Sequence, residues 1–229
     1  QIDDVYTKLA LKGNQYTVEF RVYDDAVAYR FCGARKDSVN VKDETVEYNF
    51  AGDPNTWTPW IAGEEQGERY SCSFESYYTE TKVSQMPSKR LSILPLLADM
   101  GNGVKVAVTD VGDLDYPGMY VHSNFKNGNG LKGEFPGYPD LKNSDLNGQG
   151  YANFVKLFRK DYIARVGGKQ PLSWKVAVIT EKDAQLADCD IVRKLCDGTS
   201  KGDYSWVKTG KVAWDWWNAL NVTGLDFAS

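Results

Sequence analysis

The sequence has one histidine, His122. A histidine-dependent nucleophile relay would have to run through it, and no serine or cysteine spacing points to one. A lone histidine beside a strand is expected to be a hydrogen-bonded structural residue. Four cysteines are present, Cys32, Cys72, Cys189 and Cys196, without a C-x-x-C, so a structural zinc site is not expected. Cys189 and Cys196 are close enough to pair if the chain turns back between them; free buried thiols fit equally. No apolar run approaches 18 residues, so no membrane span is expected. No signal peptide is visible, as would also hold for a mature secreted chain. Phosphate-loop and dinucleotide fingerprints are missing too; "GNG" occurs twice as turn punctuation. There is no internal repeat and no low-complexity tract. The net charge of −4, from 27 basic and 31 acidic residues, names no partner, and it lacks the basic excess expected of a nucleic-acid binder.

What is present is globular and aromatic. Of 229 residues, 42% are hydrophobic and 25% charged, enough for a substantial core. Tyrosine, tryptophan and phenylalanine number 14, 7 and 9, which fits either a β core or surfaces that stack on sugar rings. Period-2 alternation marks strands in "YTVEFRVYD" (16–24), with Val18, Phe20 and Val22 on one face, and in "AVAYRFCG" (26–33). Asp24-Asp25 between them is turn chemistry, so the pair reads as a hairpin. Further strands are expected in 39–50, 69–83, 92–97, 104–110, 118–125 and 172–180. Gly- and Asn-rich breaks at 100–103, 127–133 and 143–150 separate them. The pattern is that of an all-β sandwich or barrel. Residues 152–166 put Val155, Phe158, Tyr162 and Val166 roughly on a helical face, although their second half would serve as a strand. Residues 184–195 read as one short helix.

The most unusual chemistry is "VTDVGDLDYPGMYVH" (108–122). Asp110, Asp113 and Asp115 cluster just after a strand, and Tyr116-Pro117-Gly118 makes a tight turn. Three such carboxylates repel unless they are solvated, protonated or shared with a hard cation such as calcium. The proline fixes φ and the glycine frees it, so the backbone beside the acids is held.

These residues also carry a resemblance. "EFRVYDDAVAYRF" (19–31), "LPLL" (94–97), "VAVTDVGDLDYPGMYV" (107–121), "DYIARVGGKQPLSWKVAVI" (161–179) and "SWVKTGKVAWDWWN" (205–218) occur in the order expected of glycoside hydrolase family 97. That family includes bacterial α-glucosidases and α-galactosidases. The resemblance implies a mainly β chain: a β-supersandwich, galactose mutarotase-like, over 1–203, then a linker and the first strand of a (β/α)8 barrel over 204–229. It also implies that a front portion of the sandwich and the whole barrel are missing. Catalytic carboxylates then lie outside this chain, and the protein alone is expected to be inactive. One calcium ligand in the family precedes the Tyr-Pro-Gly-Met tyrosine by six residues, usually as Glu. Here that position is Asp110, one methylene shorter.

The tail "VAWDWWNALNVTGLDF" then resembles a barrel strand. Strand alternation sends Asp215 and Trp217 to one side, the substrate side in the parent enzyme. The expected partners are the parent's own barrel and an α-linked oligosaccharide, and the expected location is periplasmic or secreted. A stand-alone carbohydrate-binding β-sandwich module is the alternative; an adhesive β domain without a ligand is the third reading.

Overall fold

A computed structural model of the chain describes residues 2–61, 69–70, 77–144, 157–196 and 202–211. It is mainly β. The first three strands, β1 (Thr7–Lys12), β2 (Tyr16–Val22) and β3 (Ala26–Gly33), form consecutive antiparallel hairpins, with the Asp24-Asp25 turn where the sequence places it. Residues 39–50 divide into two strands of different sheets, β4 (Val39–Val41) and β5 (Glu47–Asn49), because residues 42–46 between them leave the strand pattern. Next come β6 (Asn55–Thr58), β7 (Thr79–Lys82), β8 (Leu96–Asp99) and β9 (Lys105–Val111). Strand β8 begins only after Pro95, which has no N–H to give to a ladder.

The Tyr-Pro-Gly turn leads into β10 (Tyr120–Asn124). The following glycine-rich stretch, expected to be a break, is itself a strand, β11 (Gly130–Glu134). Its glycines are packing residues. A Cβ on Gly130 would lie 2.5 Å from the Tyr48 carbonyl, and one on Gly133 would lie 2.7 Å from the Met119 sulfur. Strands β12 (Ala164–Val166) and β13 (Trp174–Thr180) complete the set. The described part of 152–166 is therefore strand and turn rather than helix. The expected helix over 184–195 is two five-residue helices, α1 (Asp183–Ala187) and α2 (Ile191–Leu195), interrupted at Asp188–Asp190, where Asp188 and Asp190 leave helical geometry. Cys189 and Cys196 are free thiols, as is Cys32.

The strands build one large sheet in the order β1-β2-β3-β13-β9-β8-β6-β7, faced by a three-stranded sheet, β10-β11-β5, and a two-stranded one, β12-β4. Two cores result. One face of the large sheet supplies Leu96 and Val108, which meet Val121, Leu131 and Val166 of the smaller sheets. The opposite face supplies Ala28, Trp174, Val176 and Val178, covered by Ile191 and Leu195 of α2. Burying a large aliphatic side chain contributes about 1.5–3 kcal/mol, so the sandwich is held chiefly by these two layers.

Two loops close one end. Gly33 lies so near Gly168 that a Cβ on it would meet the Gly168 carbonyl at 2.2 Å; a Cβ on Gly168 would meet the Asp37 carbonyl at 2.1 Å. The Arg35 amide donates to the Gly168 carbonyl at 2.9 Å, fixing that approach.

The chain divides into two compact units, Gln1–Asp197 and Gly198–Ser229. Everything above belongs to the first. In the second, residues 202–211 run without helix or strand, and Trp206 is 75% exposed. The expected tail strand, with Asp215 and Trp217, lies outside the described residues, as does Cys72. No described helix is long and apolar enough to cross a membrane.

Candidate functional site

Asp110 stands near the end of β9, directly opposite Lys175 of β13. The chain then reverses through Gly112, whose φ of +91° favours glycine, and returns over its own strand. That return brings the Met119 amide to Asp110, where it donates to Oδ2 at 2.6 Å. It also brings Asp113 beside Asp110, close enough for the Asp110 charge to act on it. Asp115 remains exposed and does not join them. Of the three sequence candidates, the structure therefore gathers two.

Beneath them lies a buried cation. The Lys175 side chain has no exposed surface. Its ammonium donates to Ser173 Oγ at 2.6 Å and sits 3.5 Å from Glu44 Oε2. The rings of Tyr116 and Phe135 lie 5.3 and 5.1 Å away, within cation–π reach. Tyr116 donates its hydroxyl to the same Glu44 oxygen at 2.9 Å. So the tyrosine of the Tyr-Pro-Gly turn, the buried glutamate and the buried lysine form one lattice under the acidic loop.

The charges do not balance. One ammonium serves Glu44, Asp110 and Asp113. Burial pushes the Asp110 carboxyl up, against the Met119 hydrogen bond and the Lys175 charge. Asp113 is pushed up to about 6, first by burial and then by the neighbouring Asp110 charge. Burial, aided by Glu44, also raises the Tyr116 hydroxyl far above its ordinary range. Among the described residues, Glu44 Oε1, Asp113 Oδ1 and the Tyr48 hydroxyl are buried without a hydrogen-bond partner. Such orphans are costly and mark a place short of a donor or a cation.

Calcium suits these donors in chemistry but not in number. All are hard oxygens, yet the described residues contain no group of three His, Cys, Asp or Glu placed to hold a metal. Calcium takes six to eight oxygens. Asp110 has one oxygen engaged by Met119 and one to give. The chain can supply a corner of a coordination shell.

His122 sits on β10, as a structural residue would. Its Nδ1 lies 2.8 Å from the Ser123 carbonyl and so carries the proton there, while Nε2 faces Glu134 at 3.7 Å. Glu134 also accepts from Arg69 Nε at 2.7 Å and from the Tyr70 hydroxyl at 2.5 Å.

Sequence reasoning missed Glu44, Lys175 and Ser173. A signal for Lys175 exists: it is the lone charge inside "LSWKVAVIT", a run apolar at both alternating positions. Nothing local distinguishes Glu44 from the acids around it.

Known proteins place the chain. The family described as Glycosyl-hydrolase 97 N-terminal matches residues 1–197. A retaining alpha-galactosidase of Bacteroides thetaiotaomicron is 35% identical over 228 residues, which is 98% of this chain and 34% of that protein. A glycoside hydrolase family 97 enzyme from Pseudoalteromonas sp. strain K8, solved with acarbose, superimposes with a TM-score of 0.63 at 17% identity, over 94% of this chain and 32% of that one. A variant of that enzyme solved with panose gives a TM-score of 0.62. The chain thus spans about a third of the length of each, and the family match and the identity to the relative agree: it belongs to glycoside hydrolase family 97, as that family's N-terminal domain.

Proposed function

We propose that the chain is the non-catalytic N-terminal domain of an α-glycoside hydrolase, which buttresses the barrel and lends Asp110 to a calcium ion at the rim of its active site. The observation that carries this reading is the Asp110 geometry. The carboxylate stands at a strand end, with one oxygen fixed by the Met119 amide, in a loop short of positive charge. A cation there would relieve the repulsion between the two carboxylates, which adds to burial in pushing the Asp113 carboxyl up. The Glu44–Lys175–Tyr116 lattice keeps the loop in place, so that one ligand can be presented without reorganisation.

In this reading the catalytic acid and its partner carboxylate belong to the barrel. Asp215 and Trp217 face the substrate from its first strand. The substrate is an α-linked oligosaccharide, consistent with the naming of the relative, and the protein works in the periplasm or outside the cell.

The 229-residue chain should leave aryl α-galactosides and α-glucosides intact. A longer protein joining it to its barrel should cleave one of them and lose at least about a hundredfold in rate on chelation or on Asp110→Ala. Turnover by the 229-residue chain that vanishes on replacing one of its own carboxylates would overturn this assignment.

A further inference from the structure

The fold leaves a cavity of about 470 Å³ between the β2–β3 end of the large sheet and the small β4–β12 sheet. Its size is that of a small-ligand pocket. We propose that it is a second carbohydrate site, taking one neutral pyranose ring, separate from the Asp110 rim. The choice of ligand class rests on the glycosidase reading above; the existence of the site rests on its own geometry.

The walls are fixed in advance. One end is closed by the two loops that meet through Gly33 and Gly168, where neither position has room for a Cβ. The Gln170 amide donates to the Gly167 carbonyl at 2.9 Å and its side chain accepts from the Gly167 amide, so that wall is a closed turn. Arg35 is tied to the Gln15 side chain. Little ordering would be lost on binding.

The lining is mostly apolar, with a few polar groups set into it. On the large-sheet side, Tyr16 and Phe31 present aromatic carbon, their rings edge-on with centroids 5.9 Å apart. Tyr16 is half exposed, and its ring lies 3.1 Å from where a Cβ on Gly13 would be, so the glycine lets the ring lie back on the hairpin. On the small-sheet side Val39, Val41 and Val166 add apolar surface, and Asn40, Asp43 and Thr45 are exposed. Asp43 uses one oxygen to accept from the Glu44 amide and keeps the other. An aromatic face for the C–H side of a ring and amide, hydroxyl and carboxylate groups for its edge are the chemistry of neutral sugar recognition. Asp43 and Arg35 both line the cavity and Glu44 is paired with Lys175, so the walls hold no excess charge to draw an ionic ligand. The polar groups give an open-chain lipid no advantage.

Glu44 links the two places. It lines this cavity and also holds Lys175, which stands opposite Asp110. The sites share a buried residue and no exposed one.

The test is titration of the 229-residue chain with methyl α-D-galactopyranoside and methyl α-D-glucopyranoside, followed by calorimetry or ligand-observed NMR, with sorbitol as an open-chain control. Saturable binding of at least one glycoside is expected, with Kd of about 1 mM or a few-fold weaker. Tyr16→Ala should weaken it about tenfold and Asn40→Ala several-fold. Both residues lie outside the core, and an unchanged melting temperature checks each fold. Asp110→Asn should leave binding untouched. The proposal falls if neither glycoside saturates, if sorbitol binds as well, or if both cavity variants bind like the parent. Loss of binding in Asp110→Asn alone would assign the sugar to the rim instead, overturning the second site while leaving the glycosidase reading intact.

Discussion

The two halves of the large sheet show opposite uses of the same alternation. Around β8, β9 and β13, the face toward the smaller sheets is closed, and Leu96, Val108 and even Lys175 are fully buried there. Along β1 and β2 the same face keeps Leu9, Leu11, Tyr16 and Val22 about half exposed. The polar face of β2 is the better buried: Glu19 is only 6% exposed. Lys8 reaches it at 3.1 Å, and Arg21 and Arg30 at 3.4 Å, with both guanidiniums over the Trp174 ring at 4.7 and 4.2 Å. Burial alone would raise the Glu19 carboxyl, but the Lys8 bond and the surrounding cations hold it below the ordinary range. Cover, rather than residue type, decides which face is interior. A charged row is buried where partners complete it, and an apolar row stays open where no described strand lies over it.

If that contrast is right, damage should follow cover. Glu44→Gln is the largest break. It removes the carboxylate nearest a lysine without exposed surface, leaving Asp110 and Asp113 to face it from farther off, and should cost about 2–4 kcal/mol in urea unfolding. A loss below about 1 kcal/mol would mean the ammonium finds water. Next comes Gly168→Ala, which places a Cβ against the Asp37 carbonyl and should cost about 1–3 kcal/mol; a neutral result would mean that the two end loops separate freely.

Asp113→Asn tests the charge imbalance through pH, in chelator. The folded-state Asp113 value, about 6, lies above its unfolded value near 3.8, so the folded chain binds the extra proton between them. Its favourable contribution is therefore present below about pH 4 and is lost as pH rises through 6. At pH 7 the asparagine variant should be the more stable, by on the order of 2 kcal/mol, and the gap should close by pH 4. A gap that widens on acidification would reverse the assigned sign. The smallest effect belongs to the open half. Leu9→Ser should shift stability by about 0.5 kcal/mol or less, and a loss matching Glu44→Gln would erase the contrast between the halves.

Much of this was legible in the chain. The β2–β3 hairpin is announced by its alternation and by Asp24-Asp25, and the Tyr-Pro-Gly-Met residues mark both the family and the Asp110 loop. What was hidden depends on distant neighbours. Gly130 and Gly133 read as a break because glycine is a poor strand former, yet they pair with β10 and β5, and they are glycine because Tyr48 and Met119 occupy the space a side chain would need. Glu44 and Lys175 are 131 residues apart, and no local pattern joins them. The faces of β2 were assigned by hydrophobicity, which has no means of knowing that Trp174 carries two guanidiniums on the other side.

Lys175 has one more consequence, for alignment. Strands repeat every two residues, so sliding β13 by two along β9 would keep Val176 and Val178 on their own face and leave the apolar layers content. It would also set Ala177 or Ser173 against Asp110 and move the ammonium opposite Gly112 or Val108 respectively, away from Glu44. The lysine thus acts as a frame mark, turning a slip that greasy side chains would forgive into an isolated charge. Replacing the pair together, Lys175→Met with Glu44→Gln, should preserve folding while admitting a second register, seen as doubled amide resonances along β13. A single set of resonances would show that the frame is kept by the loops at its ends.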